Sequence, residues 1–348
     1  MRIAYVLPHP ELNGGNKVIF QHANLLQERG DEVTILGEGP KPEWMEIRPA
    51  WIDYASTVPR LPEQDLVVAT YWTTLRIARR LSLGPLAHFC QGYEGGLVHL
   101  RPVLAEIEEV YSWRVPTLTV APHLGELLRQ RFGRESRVVP PPLDPLFRPA
   151  WRLGPRRRPW IAIPGIFEAE VKGIPVALEA VRRLRAEGIP CRVLRFSIFP
   201  LSEAERALLA PDRYLHGVPP AEIARALRAC DLLLLPSRAE EGFGLPLLEA
   251  MASKVPAVAT RIPSTPFVTG GAVPLVEPEG FAAAARELLT SRRAWRRARE
   301  RGYEASRRFR PEEVAPRLCE GIRWARQLAV AAPDALPSLA LSEDPKWT

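Results

Sequence analysis

The chain alternates short, continuously apolar runs with longer segments whose apolar residues recur every three or four positions. Arg2 to Leu7 is such a run, Asn16 to Arg29 carries a helical pattern closed by Gly30, and Glu32 to Leu36 is apolar again, so the opening predicts a βαβ unit. Leu66 to Thr70, Leu86 to Cys90 and Thr117 to Ala121 predict further strands, with helices near Arg101 to Tyr111 and His123 to Phe132. Unbroken apolarity, rather than alternation, marks parallel strands covered on both faces. From Pro140 the stretch PPPLDPLFRPAWRLGPRRRP breaks all periodicity, and a second series opens at Trp160 to Ile163. It runs through a helix at Ile174 to Ala186, strands near Cys191 to Ile198 and Tyr214 to His216, and a helix at Ala221 to Ala229. Strands at Leu232 to Leu235 and Val255 to Thr260 complete it, followed by helices at Phe281 to Thr290 and Glu312 to Leu328.

The expected class is therefore α/β, with two Rossmann-like sheets separated by a proline-rich linker. A length of 348 residues suits that division, since a domain holds about 150 residues. The boundaries fall at 1–145 and 146–310, with a helix over 311–330 and a flexible tail over 331–348. MRIAYVLP is a strand and not a leader peptide, and no run reaches the length of a membrane span, so the expected compartment is the cytoplasm.

Charge and cysteines narrow the chemistry. Cys90, Cys191, Cys230 and Cys319 are scattered without paired spacing, and six histidines form no ligand array, which predicts reduced thiols and no metal site. The net charge of +7 is densest in SRRAWRRARERGYEASRRFR, Ser291 to Arg310. A solvated helix face interrupted by Glu300 and Glu304 explains it, and attraction to an anionic membrane surface is the sharper alternative. No aromatic RNA-binding motif or zinc-finger spacing accompanies the charge, so nucleic acid is not an expected partner.

The most informative segment is Asp231 to Thr260, DLLLLPSRAEEGFGLPLLEAMASKVPAVAT: strand, glycine loop, helix, strand. Gly242 and Gly244 let the backbone approach a ligand, Pro246 suits the first helical turn, and free amides there attract an anion. Glu241 precedes the helix and Glu249 lies inside it, with seven residues between them. Each piece alone also has a purely structural reading, because acidic residues near helix starts and Gly-x-Gly turns are common.

Taken together, Glu241, Gly-Phe-Gly, Leu-Pro, Glu249-Ala-Met-Ala and the proline-containing strand resemble the E-x(7)-E signature of the retaining family 4, or group 1, glycosyltransferases. The resemblance implies a GT-B fold, two Rossmann-like domains facing each other across a cleft, with a last helix over Pro311 to Leu328 crossing back to the first domain. It implies that Glu241 meets the transferred sugar, that the backbone of Phe243, Gly244 and Leu245 holds the diphosphate, and that Glu249 takes the ribose hydroxyls. ELNGGNKVIFQHANLL resembles the family's amino-terminal glycine loop, which adds Gly15 and Asn16 to the donor site, although a plain turn would read the same locally. Val218, after Gly217, is the implied contact for the base, while His216 suits a packed strand position equally well.

PGIFEAEVKG resembles the stretch in which Arg and Lys neutralise the donor diphosphate. Lys172 matches, but Ile166 stands where the arginine is expected, so leaving-group stabilisation must come from elsewhere. Glu168 and Glu170 are expected to face solvent. Gln91 occupies a place where many members carry a histidine; it can hydrogen-bond a sugar hydroxyl but cannot act as a base. Gln91-Gly92-Tyr93-Glu94 is similar to a subset linked to rhamnan and related polysaccharide synthesis. Tyr71, Trp72 and Tyr93 are candidates for stacking on an acceptor sugar, ordinary packing being the alternative.

The expected activity is thus metal- and cofactor-independent transfer of a sugar from a nucleotide-diphosphate donor to a glycan or lipid-linked acceptor. Catalytic roles fall on Glu241, Lys172 and Gln91. A non-catalytic nucleotide-sugar-binding protein on the same fold is the main rival, motivated by Ile166 and Gln91. A dinucleotide oxidoreductase is the second, disfavoured because no GxGxxG follows Arg2 to Leu7.

Overall fold

The computed structural model describes residues 1–56 and 61–331; the segment read above as a tail lies, from residue 332 onward, outside the described residues. The first half runs β1 (Arg2–Val6), α1 (Gly14–Glu28), β2 (Glu32–Gly37), β3 (Ala50–Asp53), β4 (Leu66–Ala69), α2 (Trp72–Leu81), β5 (Leu86–Cys90), α3 (Leu104–Ser112), β6 (Thr117–Thr119), α4 (Pro122–Phe132) and β7 (Ser136–Val138). The second runs β8 (Trp160–Pro164), α5 (Ile174–Ala186), β9 (Arg192–Ser197), α6 (Glu203–Leu209), β10 (Arg213–His216), α7 (Pro220–Arg228), β11 (Leu232–Leu235), α8 (Leu245–Ala252), β12 (Ala257–Thr260), α9 (Thr265–Thr269), β13 (Leu275–Val276), α10 (Phe281–Thr290) and α11 (Arg292–Ser306), before α12 (Pro311–Ala331).

The strands form two parallel sheets, ordered β3-β2-β1-β4-β5-β6-β7 and β10-β9-β8-β11-β12-β13. Strand order reverses between β1 and β4 in one sheet and between β8 and β11 in the other. Loops leaving the carboxyl ends of those strands diverge and open a crevice, the usual place for a ligand in this architecture. The fold is GT-B, α/β throughout.

Side-chain alternation explains the apolar runs. Leu232 and Leu234 pack with α5 and α10 on one face of the second sheet, whereas Leu233 and Leu235 join the cluster on the other, which is continuous with the core of the first sheet. Neither face meets water, so neither parity tolerates a polar residue. The last helix, α12, leaves the second half and lies against α1 and strands β4 to β7. Gly321 makes that approach possible, since a Cβ there would sit 2.7 Å from Val139 Cγ2.

Several elements depart from the sequence pattern for local reasons. The helix expected from Arg101 begins at Leu104, because the preceding turn over Val98–Val103 is a 3₁₀ helix containing Pro102, which has no N–H to donate. The strand expected from Val255 begins at Ala257: the Val255 N–H closes on Ala250 O at 2.8 Å, and Pro256 has no donor. β3 and β7 are four- and three-residue sheet edges with partly exposed side chains, too short to show a period. The arginine-rich segment is helical, as its pattern allows, but it is not solely a solvated face. Arg299 is buried, with Nε donating to Lys254 O at 2.8 Å and Nη1 to Arg152 O at 2.5 Å, and Trp295 Nε1 donates to Asp231 O at 2.8 Å. One side of α11 thus fastens the end of the linker to the second sheet.

Candidate functional site

Two loops at the switch point of the second sheet carry the residues singled out by sequence. The loop after β8 turns through Gly165, at φ +117°, and a short 3₁₀ turn over Glu170–Lys172 into α5. Gly173 follows at φ +58°, where a side chain would stand 2.0 Å from Pro236 O. That glycine therefore lets the Lys172 turn press against the loop leaving β11. In consequence Lys172 Nζ lies 2.7 Å from Glu241 Oε2, with Ser237 Oγ donating to the same oxygen at 3.0 Å. Lys172 keeps about a third of its side chain exposed while Glu241 is largely covered, so the pair has a wet and a dry end. Glu168 and Glu170 are exposed, and Glu170 pairs with Arg238, whose backbone bridges Val171 and Glu241.

Ile166 is half-buried in the same loop. Arg195 reaches that loop, but it is buried and consumed: it bonds Glu205, Ile163 O at 2.5 Å and Gly165 O at 2.8 Å. It braces the backbone; Arg238, which also reaches the loop, is exposed and paired with Glu170.

α8 starts at Leu245 with Gly244 as its cap at φ 86°, and Pro246 stands in its first turn. The amides at such a start have no partner inside the helix and carry the positive end of its dipole. Phe243 is buried edge-on to Phe309, ring centroids 5.5 Å apart, which anchors the loop from below. Across the cleft, a Cβ on Gly14 would meet Leu245 Cδ1 at 3.1 Å, so the start of α1 packs against the Leu245 side chain.

Glu249, in the middle of α8, does not stand alone. Lys17 Nζ, from α1, lies 2.9 Å from Glu249 Oε1 and 2.9 Å from Asp144 Oδ2 in the linker. Burial works against the charge on Lys17, but the two carboxylates outweigh it and hold the ammonium above the usual lysine range. Neither Lys17 nor Asp144 was legible as a site residue in the sequence. Lys17 reads as one more residue of an amphipathic helix, and Asp144 sits in the linker where periodicity gives no signal. The only pointer was adjacency of Lys17 to the glycine loop.

A cavity of about 550 Å³ opens beside this centre at the switch point of the first sheet. Its walls come from Pro8, His9 and Asn13 after β1, Gly15, Asn16 and Ile19 of α1, Thr70, Tyr71 and Thr73 after β4, and Gln91 to Glu94 with Leu97 after β5, closed by Glu240 from the other half. Gln91 Nε2 donates to Gly15 O at 3.1 Å, and the Gln91 carbonyl abuts Gly242. Gln91 is thus the wall between the cavity and the Glu241 loop. Glu94 is buried, and Tyr111 Oη donates to its carboxylate. Burial pushes the Glu94 carboxyl up to about 7, so near neutral pH it exists both as acid and as carboxylate and can donate or accept.

The structure sorts the remaining candidates. Gly15, Tyr71 and Tyr93 line the cavity, although the Tyr93 ring is mostly covered by edge contacts with Tyr111, centroids 5.1 Å apart. Trp72 is not among the lining residues; it opens α2 and packs on the core. Asn16 lines the cavity as well, with its donors engaged inside the loop. Its N–H is taken by the Asn13 side chain at 2.8 Å, and its own amide nitrogen donates to His9 O and Glu11 O, both at 2.8 Å, so these donors hold the loop. Val218 is half-buried after Gly217, and His216 is exposed rather than packed in the strand. Among the described residues, no group of histidine, cysteine or acidic side chains has metal-site geometry and no helix is long and apolar enough to cross a membrane.

Comparison with known proteins agrees with this architecture. Residues 158–291, the part that holds the Lys172, Glu241 and Glu249 loops, match the family model described as glycosyl transferases group 1. An MMP alpha-(1->4)-mannosyltransferase of Mycolicibacterium hassiacum is 34% identical over 180 residues, 48% of this chain and 43% of that protein. A D-inositol 3-phosphate glycosyltransferase of Segniliparus rotundus is 28% identical over 187 residues, 52% of this chain and 40% of that protein. The chain spans less than half the length of these curated relatives. Among solved structures, sucrose-phosphate synthase from Thermosynechococcus elongatus superposes with a TM-score of 0.75 at 17% identity, covering 95% of this chain and 99% of its own. Anabaena HepE, solved with UDP and glucose, gives 0.72 at 15% identity, covering 93% and 100%. Residues 158–291 are thus similar to group 1 glycosyl transferases, and the whole chain has the GT-B fold of these solved structures.

Proposed function

We propose that this chain is a retaining glycosyltransferase of the family 4 kind, moving a sugar from a nucleotide-diphosphate donor onto a glycan or lipid-linked acceptor in polysaccharide or glycoconjugate synthesis. The observation that carries the reading is the meeting of the Lys172–Glu241 pair with the amide-lined start of α8 and with Glu249 inside it. Departure of a nucleotide diphosphate develops negative charge, which Lys172 and the amides at the start of α8 are placed to stabilise, with Gly15 beside them. Glu241, held by Lys172 and Ser237, takes sugar hydroxyls, and Glu249 takes those of the ribose. The donor pyrophosphate, rather than a side-chain base, receives the acceptor proton on the face it leaves, consistent with Gln91 standing where a base would be. Neither metal nor cofactor enters the scheme. The cavity over Gln91 and Glu94 receives the acceptor, and Gln91-Gly92-Tyr93-Glu94 supports a rhamnan-type or related deoxyhexose context. In this proposal residues 1–145 form the acceptor half, 146–310 the donor half, and 311–330 the return crossing.

Titrations of two variants test the assignment. Glu249→Ala is expected to weaken binding of the free nucleoside diphosphate and the sugar donor alike. Glu241→Ala should bind the nucleotide normally and lose turnover, because it meets only the sugar. Equal losses for both ligands in both variants would refute the split. Isotope-traced donor binding with no transfer or hydrolysis, over broad acceptor sets, would favour the non-catalytic rival that Ile166 suggests.

A peripheral membrane contact at the cytoplasmic face belongs to the same proposal. Trp151 and Leu153 are 93% and 71% exposed, and Arg156, Arg157, Arg158, Arg293 and Arg297 stand exposed in the same linker and on α11. Apolar tips among cations suit an anionic lipid surface. Sedimentation with phosphatidylglycerol vesicles, reversed by salt, is expected; equal sedimentation with neutral phosphatidylcholine vesicles, or none, removes the membrane from the partners.

A further inference from the structure

Lys17 belongs to α1 of the first half, Asp144 to the linker and Glu249 to α8 of the second, yet one ammonium joins all three. The contact closes 232 residues of chain, and each of the three side chains has 12% or less of its surface exposed. The remaining side of the ammonium lies over the Phe147 ring, 4.7 Å from its centroid. Its donors are therefore used up within the protein, and Lys17 has none left for a phosphate. Its effect must pass through Glu249. By holding Oε1, it restrains the carboxylate rotamer, and Oε2 is not engaged by the ammonium. Two carboxylates against one cation leave the trio with surplus acceptor capacity, which favours a ligand that donates, such as a vicinal diol, over one that accepts.

We propose that Lys17 is a positioning residue that makes nucleotide binding by the second half depend on the docking of the first. Glu249 is in its binding geometry only when α1 is seated against α8, so donor affinity and closure of the cleft are one coupled equilibrium. The inference rests on the reading of Glu249 as the ribose contact. It differs from that reading in assigning part of the donor site to a residue of the acceptor half that need not touch the donor.

Calorimetric titration of the full chain with UDP and with GDP tests it, using Lys17→Met, Lys17→Met with Asp144→Asn, Glu249→Gln, and Lys17→Met with Glu249→Gln. The second variant guards against misfolding, because it does not leave two buried carboxylates without a cation. Lys17→Met is expected to weaken whichever nucleotide the wild type binds by roughly 5- to 100-fold, and the double neutral variant by a similar factor. Adding Glu249→Gln to Lys17→Met should then cost much less than Glu249→Gln costs alone, a non-additivity that a purely structural lysine would not produce. Folded Lys17 variants with wild-type affinity, or fully additive losses, overturn the positioning role alone. Tighter binding overturns it too, making Lys17 a competitor for Glu249. Failure of the wild type to bind either nucleotide or its sugar conjugates removes the donor-site reading beneath it.

Discussion

Alanine at Gly242 is expected to lower sugar transfer by about 100-fold or more while both sheets stay folded. A Cβ at this position would lie 1.8 Å from the Gln91 carbonyl oxygen and 2.9 Å from its carbon, with Gly92 Cα at 3.3 Å. All three are backbone atoms at the end of β5, so no side-chain rotation relieves the overlap. The halves must move apart, or the Glu241 loop must shift within its own half. Either way Glu241 leaves its position relative to the acceptor cavity, and displacement by about 1 Å is enough to cost two orders of magnitude when catalysis depends on alignment. The cores are not touched, which predicts a melting temperature close to that of the wild type. Steady-state turnover together with circular dichroism melting provides the check. A variant with wild-type kcat would mean that the contact between Gly242 and Gln91 is not kept during the reaction.

Lys172→Ala should lower kcat by on the order of 10²- to 10³-fold, with a smaller effect on binding of the free nucleotide. The expectation leans to the upper end because of what surrounds the residue. Ile166 supplies no charge, Arg195 is committed to Glu205 and to the carbonyls of Ile163 and Gly165, and Arg238 is paired with Glu170. Removal of Lys172 also leaves Glu241 with Ser237 as its remaining partner, so the sugar-facing carboxylate loses its orientation together with the leaving group's cation. An Ile166→Arg background offers a second reading: partial recovery of Lys172→Ala activity is expected if charge is the missing quantity. A kcat within about threefold of wild type in Lys172→Ala would assign leaving-group stabilisation to the helix starts instead.

How much of this was legible depended on the kind of signal each residue sends. Leu232 to Leu235, Ile174 to Ala186 and Phe281 to Thr290 were readable to their ends because burial on two faces, or one clean helical stripe, leaves an unbroken pattern. The α/β class and two parallel sheets follow from the succession of such units. The edges β3 and β7 were not readable, since short, partly solvated strands demand little of their side chains. At the candidate site, Glu241, Lys172 and the start of α8 announce themselves through glycine and proline placement in two local segments. The Lys17–Asp144–Glu249 trio does not, because its members come from three segments and each alone satisfies an ordinary local rule. Asn16 shows the opposite limit: proximity to the glycine loop was legible, but the use of its hydrogen bonds was not.

The return of α12 to the first sheet bears on how the molecule comes to be made. Strands β4 to β7 and helix α1 emerge from the ribosome early, but the helix that covers them, with Gly321 set against Val139 and Leu118, emerges much later. At a synthesis rate of about 5–20 residues per second, the intervening chain takes roughly ten to forty seconds to appear. During that interval Leu118, Val139 and their neighbours lack their native cover. The amino-terminal half must therefore wait, partly unclothed, for the carboxyl-terminal one, and nascent chains of this protein present a natural surface for a chaperone that the finished molecule conceals.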